Sequence, residues 1–436
     1  MNNNIRNKIA KNFTSMIFAH IIYKILTFLT MVLLARFLGA EGFGRLSFGL
    51  SAVWIFLFLS DMGLSDLFTR DVASDNRLKD KYVDHIVTIK IFLGIISYLI
   101  IFLIGLSYSF NKDTFWAVLI LGLATILDSF MYFFRCIFRI KEIMKYEAIL
   151  MVIEGFLKIS VLLAAIRFES ALPGIIIISL AILLISSLNL ILNFLAFVLV
   201  NRLPTLRFDW NFSLYLLKNS FPFAIVYMLN LLNFRVDIIM LTVLSSAQAA
   251  GLYSASFKLI EQLLLIPLTF SCVILPTFSK PGNSLLQMKH FLKGIVPILI
   301  LTSIAAIILL NFSGDYIIRS IYGNGFQGAA ANLKIFSLVL LPFFLKPIPE
   351  KLLLGARMQN TVCSLYCGGI ILNIIKNFIF IPVWGINGAT LGTFFCEMLV
   401  VFGCIIIVYK RGVLSQKLST EVSLAYKTAD LRDSEY

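Results

Sequence analysis

The chain has 436 residues, 59% of them hydrophobic, and a formal net charge of +14. Its mean hydropathy of +0.93 excludes a water-soluble globular protein, because soluble domains are only about 45–50% apolar. Apolar stretches of about 18 or more residues recur throughout and predict membrane-spanning helices. A membrane barrel would instead show alternating segments of about ten residues, which the sequence lacks.

Twelve spanning helices are predicted in chain order. The first follows Arg6, Lys8 and Lys11 as a signal peptide would, but it has no small-residue cleavage site, so we expect it to stay as helix 1. The predicted spans are 13–37, 43–69, 84–108, 114–136, 146–167, 174–200, 214–244, 249–279, 288–311, 328–353, 361–382 and 388–410.

Basic residues predict the orientation of these helices. They lie between the apolar segments, and most are on the same side as both termini. The positive-inside rule places that side in the cytoplasm. Basic residues on the opposite side are only Arg36, Arg45, Lys112, Arg167 and Arg319. The longest loop there is 311–328, which leaves no room for an external soluble domain.

An internal repeat predicts two six-helix halves. Residues 35–48 align with 244–257, so that Gly42, Ser47 and Phe48 match Gly251, Ser256 and Phe257. We therefore expect an N-terminal lobe over 1–204, a C-terminal lobe over 205–412 and a cytoplasmic tail over 413–436. Substrate sites in such transporters lie between the halves, near the membrane midplane.

Prolines concentrate in the second half, where they either allow bending during transport or make static kinks. They include Pro267, Pro276, Pro297, Pro342, Pro347 and Pro349.

Several segments resemble one transporter family. They are 35–47 (ARFLGAEGFGRLS), 61–65 (DMGLS), 69–73 (TRDVA), 237–246, 251–255 (GLYSA), 381–382 (IP) and 385–389 (GINGA). These segments look like the polysaccharide-exporter family, the O-antigen and capsule repeat-unit flippases of the MOP superfamily, which also contains multidrug exporters and the lipid II flippase.

The resemblance implies an all-α fold like that of the MATE transporters, in two pseudo-symmetric lobes. It implies a non-enzymatic flippase in the bacterial inner membrane that moves a polyprenyl-pyrophosphate-linked oligosaccharide to the periplasmic leaflet by alternating access. Expected partners are that lipid, membrane lipids, and a polysaccharide polymerase with its chain-length regulator, but no nucleic acid. No cofactor is expected, and the energy would come from a proton gradient, a sodium gradient or the membrane potential.

Ionisable residues at membrane depth are the candidate site residues, since each costs about 2.5–3.5 kcal/mol to insert. Lys90 and Lys334 lie near span ends and are expected to reach the membrane surface, so they are set aside. The central residues are Lys24, Asp61, Asp128, Glu154, Lys158, Arg235, Asp237, Lys258, Glu261, Lys376 and Glu397.

The five central bases are predicted to line a cavity that binds pyrophosphate, because Arg grips phosphate oxygens in a fork and Lys adds point charge. They are Lys24, Arg235, Lys258, Lys158 and Lys376. The six acids either couple an ion or form ion pairs, as the spacing of Glu154 with Lys158 and of Lys258 with Glu261 allows.

No catalytic residue or metal site is predicted. The cysteines are interpreted as small apolar residues; they are Cys136, Cys272, Cys363, Cys367, Cys396 and Cys404. Two other functions remain open. A multidrug or cation exporter of the same superfamily would favour an acidic, aromatic cavity, and a membrane-embedded polymerase or ligase would favour a large basic external loop.

Overall fold

The structure is a computed structural model that describes residues 3–107, 111–167, 172–267, 285–355 and 358–411. These ranges form helices and short connections, without strands. Three subjects of the sequence predictions, Cys272, Pro276 and the tail 413–436, lie outside them. The chain divides into two compact units, Met1–Thr242 and Val243–Tyr436. These units do not test the predicted division of the repeat at residue 204.

In the part of the first unit that the structure describes there are seven helices and a short 3-10 turn, Asn76–Leu78. The helices are α1 (Asn3–Asp61), α2 (Leu64–Ser74), α3 (Lys79–Ser107), α4 (Lys112–Ile140), α5 (Met144–Arg167), α6 (Gly174–Val200) and α7 (Trp210–Leu244). Helix α1 packs on α4 and α5, and α4 packs on α6.

Among its described residues, the second unit contains six further helices and the 3-10 turn Asn324–Phe326. They are α8 (Ala247–Leu263), α9 (Leu285–Tyr322), α10 (Gln327–Ser337), α11 (Leu340–Leu345), α12 (Pro347–Gly355) and α13 (Gln359–Lys410). Helix α9 packs on α10 and α11, and α13 packs on α12 and α10.

The helices agree with the twelve predicted spans. Within the described ranges, nine helices are long and apolar enough to cross a membrane, and a bent pair makes a tenth when it is counted as one span. Two of the nine, α1 and α13, are each divided by a glycine with non-helical backbone angles, Gly39 and Gly385. Counting the two parts of each separately gives twelve spans.

Gly39 makes the break in α1 because its backbone angles, φ 68° and ψ 178°, belong to a region open almost only to glycine. Gly385 does the same in α13 with φ 56° and ψ −130°. Three residues later, a Cβ at Gly388 would come within 2.2 Å of the Phe380 carbonyl oxygen. Each long helix is therefore kinked at a site where glycine is required.

The tenth span is bent by 48° between α10 and α11. Pro342 has no N–H with which to bond the carbonyl of Leu338, and that carbonyl instead accepts from the Leu341 N–H at 3.2 Å. The resulting tight turn produces the bend. Other prolines stand inside helices at Pro222 in α7, Pro297 in α9 and Pro382 in α13.

Most of the segment predicted as the external loop 311–328 is helical. Helix α9 continues to Tyr322 and is followed by Gly323 and the turn Asn324–Phe326. Asn311 lies inside this helix, and its side-chain amide donates to the Ile307 carbonyl at 2.9 Å. The helix therefore continues beyond its apolar stretch.

Apolar side chains on the outside of α3 form a stripe at helical spacing. Phe92, Ile95, Leu99 and Leu103 are each more than half exposed. In water an exposed apolar stripe of this kind would promote aggregation, whereas in a membrane it contacts lipid. The same helix buries Ile86 and Ile89 against the core of the first unit, which contains Phe133 and Phe138.

The connection from α6 to α7 is non-helical and is fastened to α3 by Asp84. The buried Asp84 carboxylate accepts from Arg202 Nη2 at 2.6 Å and from both the N–H and the hydroxyl of Thr205 at 2.8 Å. Two residues further on, the Arg207 N–H donates to the Thr88 hydroxyl at 3.1 Å. We call residues 201–209 the strap, and these contacts fix it to the first unit.

Candidate functional site

The first unit contains a cavity of about 100 Å³ between α1, α4, α5 and α6. Trp54 from α1, Asp128 from α4 and Lys158 from α5 are among its lining residues. It also has Thr27, Thr30, Thr125, Ser186 and Asn189, in an otherwise apolar wall. We call this space the central cavity.

Lys158 belongs to a charge network that spans four helices. Its ammonium lies 2.7 Å from Glu154 Oε1, as the i,i+4 spacing allowed, and 2.7 Å from the Tyr23 hydroxyl. The other Glu154 oxygen accepts from Arg135 Nη2 at 2.8 Å, and Arg135 Nε donates to Asn193 Oδ1. Two bases thus share one acid, and the network keeps positive charge beside the cavity.

Arg235 reaches the same region from α7. Its guanidinium carbon lies 4.2 Å from the centroid of the Trp54 ring, a close cation–π contact. Since Trp54 lines the central cavity, two of the predicted cations, Lys158 and Arg235, are associated with one cavity of the first unit. The network and this contact are between residues of a single unit.

A second cavity, of about 270 Å³, has a different character. It is lined by Asp61, Asp66 and Asp128 and by the rings of Tyr132 and Tyr227. We call it the acidic cavity. Asp128 lines both cavities, so the two spaces adjoin at this carboxylate.

Lys90 corrects a sequence prediction. It was expected to reach the membrane surface, yet it is fully buried. Its ammonium lies 2.5 Å from Asp61 Oδ1 and 2.6 Å from the Ser129 hydroxyl oxygen. The partner on α1 explains the difference, because a paired lysine can stay inside at a depth from which an unpaired one would escape.

Lys334, the other lysine set aside, is partly exposed, and its ammonium lies 2.5 Å from Asp315 Oδ2. Lys24 is half-buried on α1 and is not among the residues that line either cavity. Asp237 is buried in α7, two residues beyond Arg235.

The second unit holds the remaining predicted residues. Lys258 pairs with Glu261 at 2.7 Å within α8, and the Lys376 ammonium lies 5.1 Å from the centroid of the Phe395 ring. Glu397 is buried and pairs at 2.8 Å with Lys346, whose ammonium also lies 4.3 Å from the Tyr366 ring centroid. A single cavity lined by all five predicted bases stays a prediction.

Sequence reasoning missed Arg135, Lys346 and the pairing of Lys90. Arg135 stood one residue from a predicted span end and was therefore not counted among the central residues. For Lys346, the acid Glu397 is 51 residues away in the chain, and no local spacing reveals it. A charged residue inside a predicted span was the available signal for all three.

Comparisons with known proteins place the chain in a family. A family model described as polysaccharide biosynthesis protein matches residues 9–281. No curated protein sequence matches the chain.

Solved structures match the fold over most of the chain. The lipid II flippase MurJ, in an inward closed conformation, matches with a TM-score of 0.73 at 18% identity over 96% of this chain and 92% of that one. An inward-facing MATE family multidrug resistance transporter of the MOP superfamily matches with a TM-score of 0.71 at 12% identity, over 91% and 96%.

A third match is a MOP superfamily transporter from Pyrococcus furiosus, described as having a binding pocket of reverse polarity. Its TM-score is 0.64 at 13% identity, over 94% of this chain and 96% of that one. Identities this low establish the fold alone. The family match covers more than half of the chain, and together they show that this multi-pass membrane protein belongs to the polysaccharide biosynthesis protein family and has the fold of the MOP superfamily transporters.

Proposed function

We propose that the protein is a flippase that moves a polyprenyl-pyrophosphate-linked oligosaccharide, of the O-antigen or capsule repeat-unit kind, across the bacterial inner membrane by alternating access. The family match supports a role in polysaccharide synthesis. Similarity of fold to the lipid II flippase supports movement of a lipid-linked saccharide as the activity.

The observation that carries the proposal is that Lys158 and Trp54 line the central cavity and that the Arg235 guanidinium lies against the Trp54 ring. A pyrophosphate crossing a membrane needs fixed positive charge to replace its hydration, and a guanidinium can bond two phosphate oxygens at once. The polar lining would accept the headgroup, while the polyprenyl chain stays in lipid. Lys158 would act as point charge held in place by Glu154.

The experiment is substitution of Arg235 in a producing strain that lacks its own copy of the gene. We expect Arg235→Ala to abolish surface polysaccharide while protein abundance in the membrane is unchanged. Arg235→Lys should retain partial export, because it keeps the charge and loses the fork. The matched control is Arg319→Ala, at an exposed arginine near the end of α9, which should export normally.

The outcome that contradicts the pyrophosphate role is full export by a stably inserted variant carrying both Lys24→Ala and Arg235→Ala. Loss of Arg235 with a fall in protein abundance would instead identify a structural role. Restoration of abundance by removal of a nearby acid, such as Asp237, would then confirm that structural role.

A second candidate, an exporter of organic cations, is favoured by the acidic cavity. Three carboxylates and two tyrosine rings surround about 270 Å³, a lining suited to a cationic aromatic compound. Against it, Lys90 already neutralises Asp61. An exporter of this kind would remove ethidium from cells in an Asp66-dependent way, whereas the flippase predicts ethidium efflux equal to that of cells without the protein.

A further inference from the structure

The strap follows one face of α3 toward the exposed apolar stripe of that helix. It is bonded first to Asp84 and further along to Thr88, and the Phe208 ring centroid then lies 5.9 Å from that of Phe92. Asp84, Thr88 and Phe92 stand at positions i, i+4 and i+8, so they share a helix face. Phe92 is a member of the stripe that contacts lipid. The strap therefore runs from a polar part of α3 onto its lipid-facing surface.

The strap exposes large apolar side chains of its own. Leu203, Leu206, Phe208 and Trp210, the first residue of α7, are each more than half exposed. Tryptophan is enriched where a membrane meets water, because its ring has both an apolar body and an N–H group. The non-helical backbone excludes the hydrocarbon interior, where its remaining polar groups would have no partner. Together these properties fit a position among the lipid headgroups.

Arg207 adds an exposed positive charge to this surface. The Asp84 carboxylate already accepts from Arg202 at 2.6 Å and from Thr205 at 2.8 Å. Arg207 Nε is more distant, at 3.7 Å from the same carboxylate, and the Arg207 side chain is 68% exposed. Because Arg202 holds the carboxylate more closely, most of the Arg207 guanidinium is accessible to another anion.

The neighbours of this guanidinium identify the class of that anion. A soluble anion would bind Arg207 but would leave Leu206 and Trp210 in water. A zwitterionic headgroup such as phosphocholine would bring its own cation close to the arginine. An anionic phospholipid supplies a phosphate for the guanidinium and acyl chains for the apolar side chains beside it.

We propose that the strap is a binding site for an anionic phospholipid of the surrounding membrane. Arg207 bonds the lipid phosphate, and Leu206, Phe208 and Trp210 contact the acyl chains next to it. The hydrogen bonds to Asp84 and Thr88 hold the strap on α3, so the site is formed before the lipid binds. This lipid is a resident of the membrane and is distinct from the lipid-linked saccharide proposed as the substrate.

The test uses quenching of Trp210 fluorescence by lipids with brominated acyl chains. The sequence has four tryptophans, so Trp54→Phe, Trp116→Phe and Trp384→Phe in the full-length protein leave Trp210 as the reporter. Phosphatidylcholine nanodiscs receive increasing fractions of brominated phosphatidylglycerol or of brominated phosphatidylcholine. We expect half-maximal quenching at an about fivefold lower fraction of phosphatidylglycerol, the effect of one arginine at a charged membrane surface.

Two substitutions of Arg207 and two controls separate charge recognition from general contact with lipid. Arg207→Gln should abolish the preference for phosphatidylglycerol without lowering the melting temperature, whereas Arg207→Lys should retain most of the preference. Arg319→Gln, at an exposed arginine of the second unit, should leave it unchanged. A protein with Trp384 as its single tryptophan should show no preference, because residues 380–388 around this exposed ring carry no charge.

Four results would overturn the proposal. They are no quenching of Trp210 by either lipid, equal quenching by both, a preference that survives Arg207→Gln, or displacement of brominated phosphatidylglycerol by a trace of undecaprenyl pyrophosphate. The last result would assign the strap to the transported lipid instead. The proposed flippase function does not depend on Arg207, so each of the two proposals is tested separately.

Discussion

At the scale of single residues, Lys90 shows how this protein keeps a full charge inside the membrane. The ammonium lies between the Asp61 carboxylate and the Ser129 hydroxyl, with the Phe130 ring centroid 5.6 Å away. Each of these groups compensates part of the lost hydration. Asp61 is on α1, Lys90 on α3 and Ser129 on α4, so these contacts link three helices.

We predict that Lys90→Met destabilises the protein by about 3–5 kcal/mol, because it leaves the Asp61 carboxylate buried without its partner. Adding Asp61→Asn to Lys90→Met should recover most of that loss. The control is Lys334→Met, which breaks a more exposed pair with Asp315 and should cost at most about 1 kcal/mol. Thermal unfolding in nanodiscs measures all three, and equal melting temperatures for Lys90→Met and Lys334→Met would refute the prediction.

At the scale of helices, the breaks at Gly39 and Gly385 divide two long helices into four spans. Both residues have backbone angles that disfavour any side chain, although an added Cβ would meet open space at each. The constraint is therefore conformational rather than steric with respect to neighbouring residues.

Gly39→Ala and Gly385→Ala are each expected to destabilise the protein by about 1–3 kcal/mol, the usual cost of such backbone strain. The matched control is Gly368→Ala in α13, where the backbone is helical and a Cβ also meets open space. Alanine there should be neutral or stabilising by up to about 1 kcal/mol. The measurement is the melting temperature of each variant. A higher melting temperature for Gly39→Ala would show that the backbone angles of this break do not require glycine.

Much of the helix pattern was predictable from the sequence, because hydropathy is local. The predicted spans stop and restart around Gly39 and Gly385, where the structure has its breaks. Hydropathy did not predict where α9 ends, because the helix continues through Asn311 and Asp315 to Tyr322. Polar residues end an apolar stretch, but they need not end a helix, because the backbone hydrogen bonds of the helix form equally well outside the membrane.

The site was predictable only where its partners share a helix. Glu154 with Lys158 and Lys258 with Glu261 followed from their spacing. The pairs of Asp61 with Lys90 and of Lys346 with Glu397 join different helices, and a single sequence does not say which helix faces meet.

At the scale of the whole molecule, most predicted acids already have basic partners. Asp61 pairs with Lys90, Glu154 with Lys158 and Arg135, Glu261 with Lys258, and Glu397 with Lys346. An acid held by a lysine or arginine is a poor carrier for a proton that must bind and leave in each cycle. We therefore propose that the membrane potential, rather than an ion gradient, drives transport.

The potential is sufficient in size. An anion moving outward from a negative interior gains about 2.3 kcal/mol per charge per 100 mV, or roughly 4–5 kcal/mol for two phosphate charges. In proteoliposomes loaded with lipid-linked saccharide, collapse of a pH or sodium gradient at fixed potential should leave the transport rate unchanged. Collapse of the potential should slow it. Dependence on either gradient at constant potential would count against this source of energy.

The strap has a consequence for how the protein is made. Asp84 leaves the ribosome 118 residues before Arg202, its partner in the strap. At about 5–20 residues per second, the carboxylate waits roughly 6–24 s for that partner. During this interval α4, α5 and α6 are synthesised, and Asp84 must remain hydrated at the membrane surface because nothing yet neutralises it. Closure of the strap is thus a late event in biogenesis, possible only after α6 has emerged.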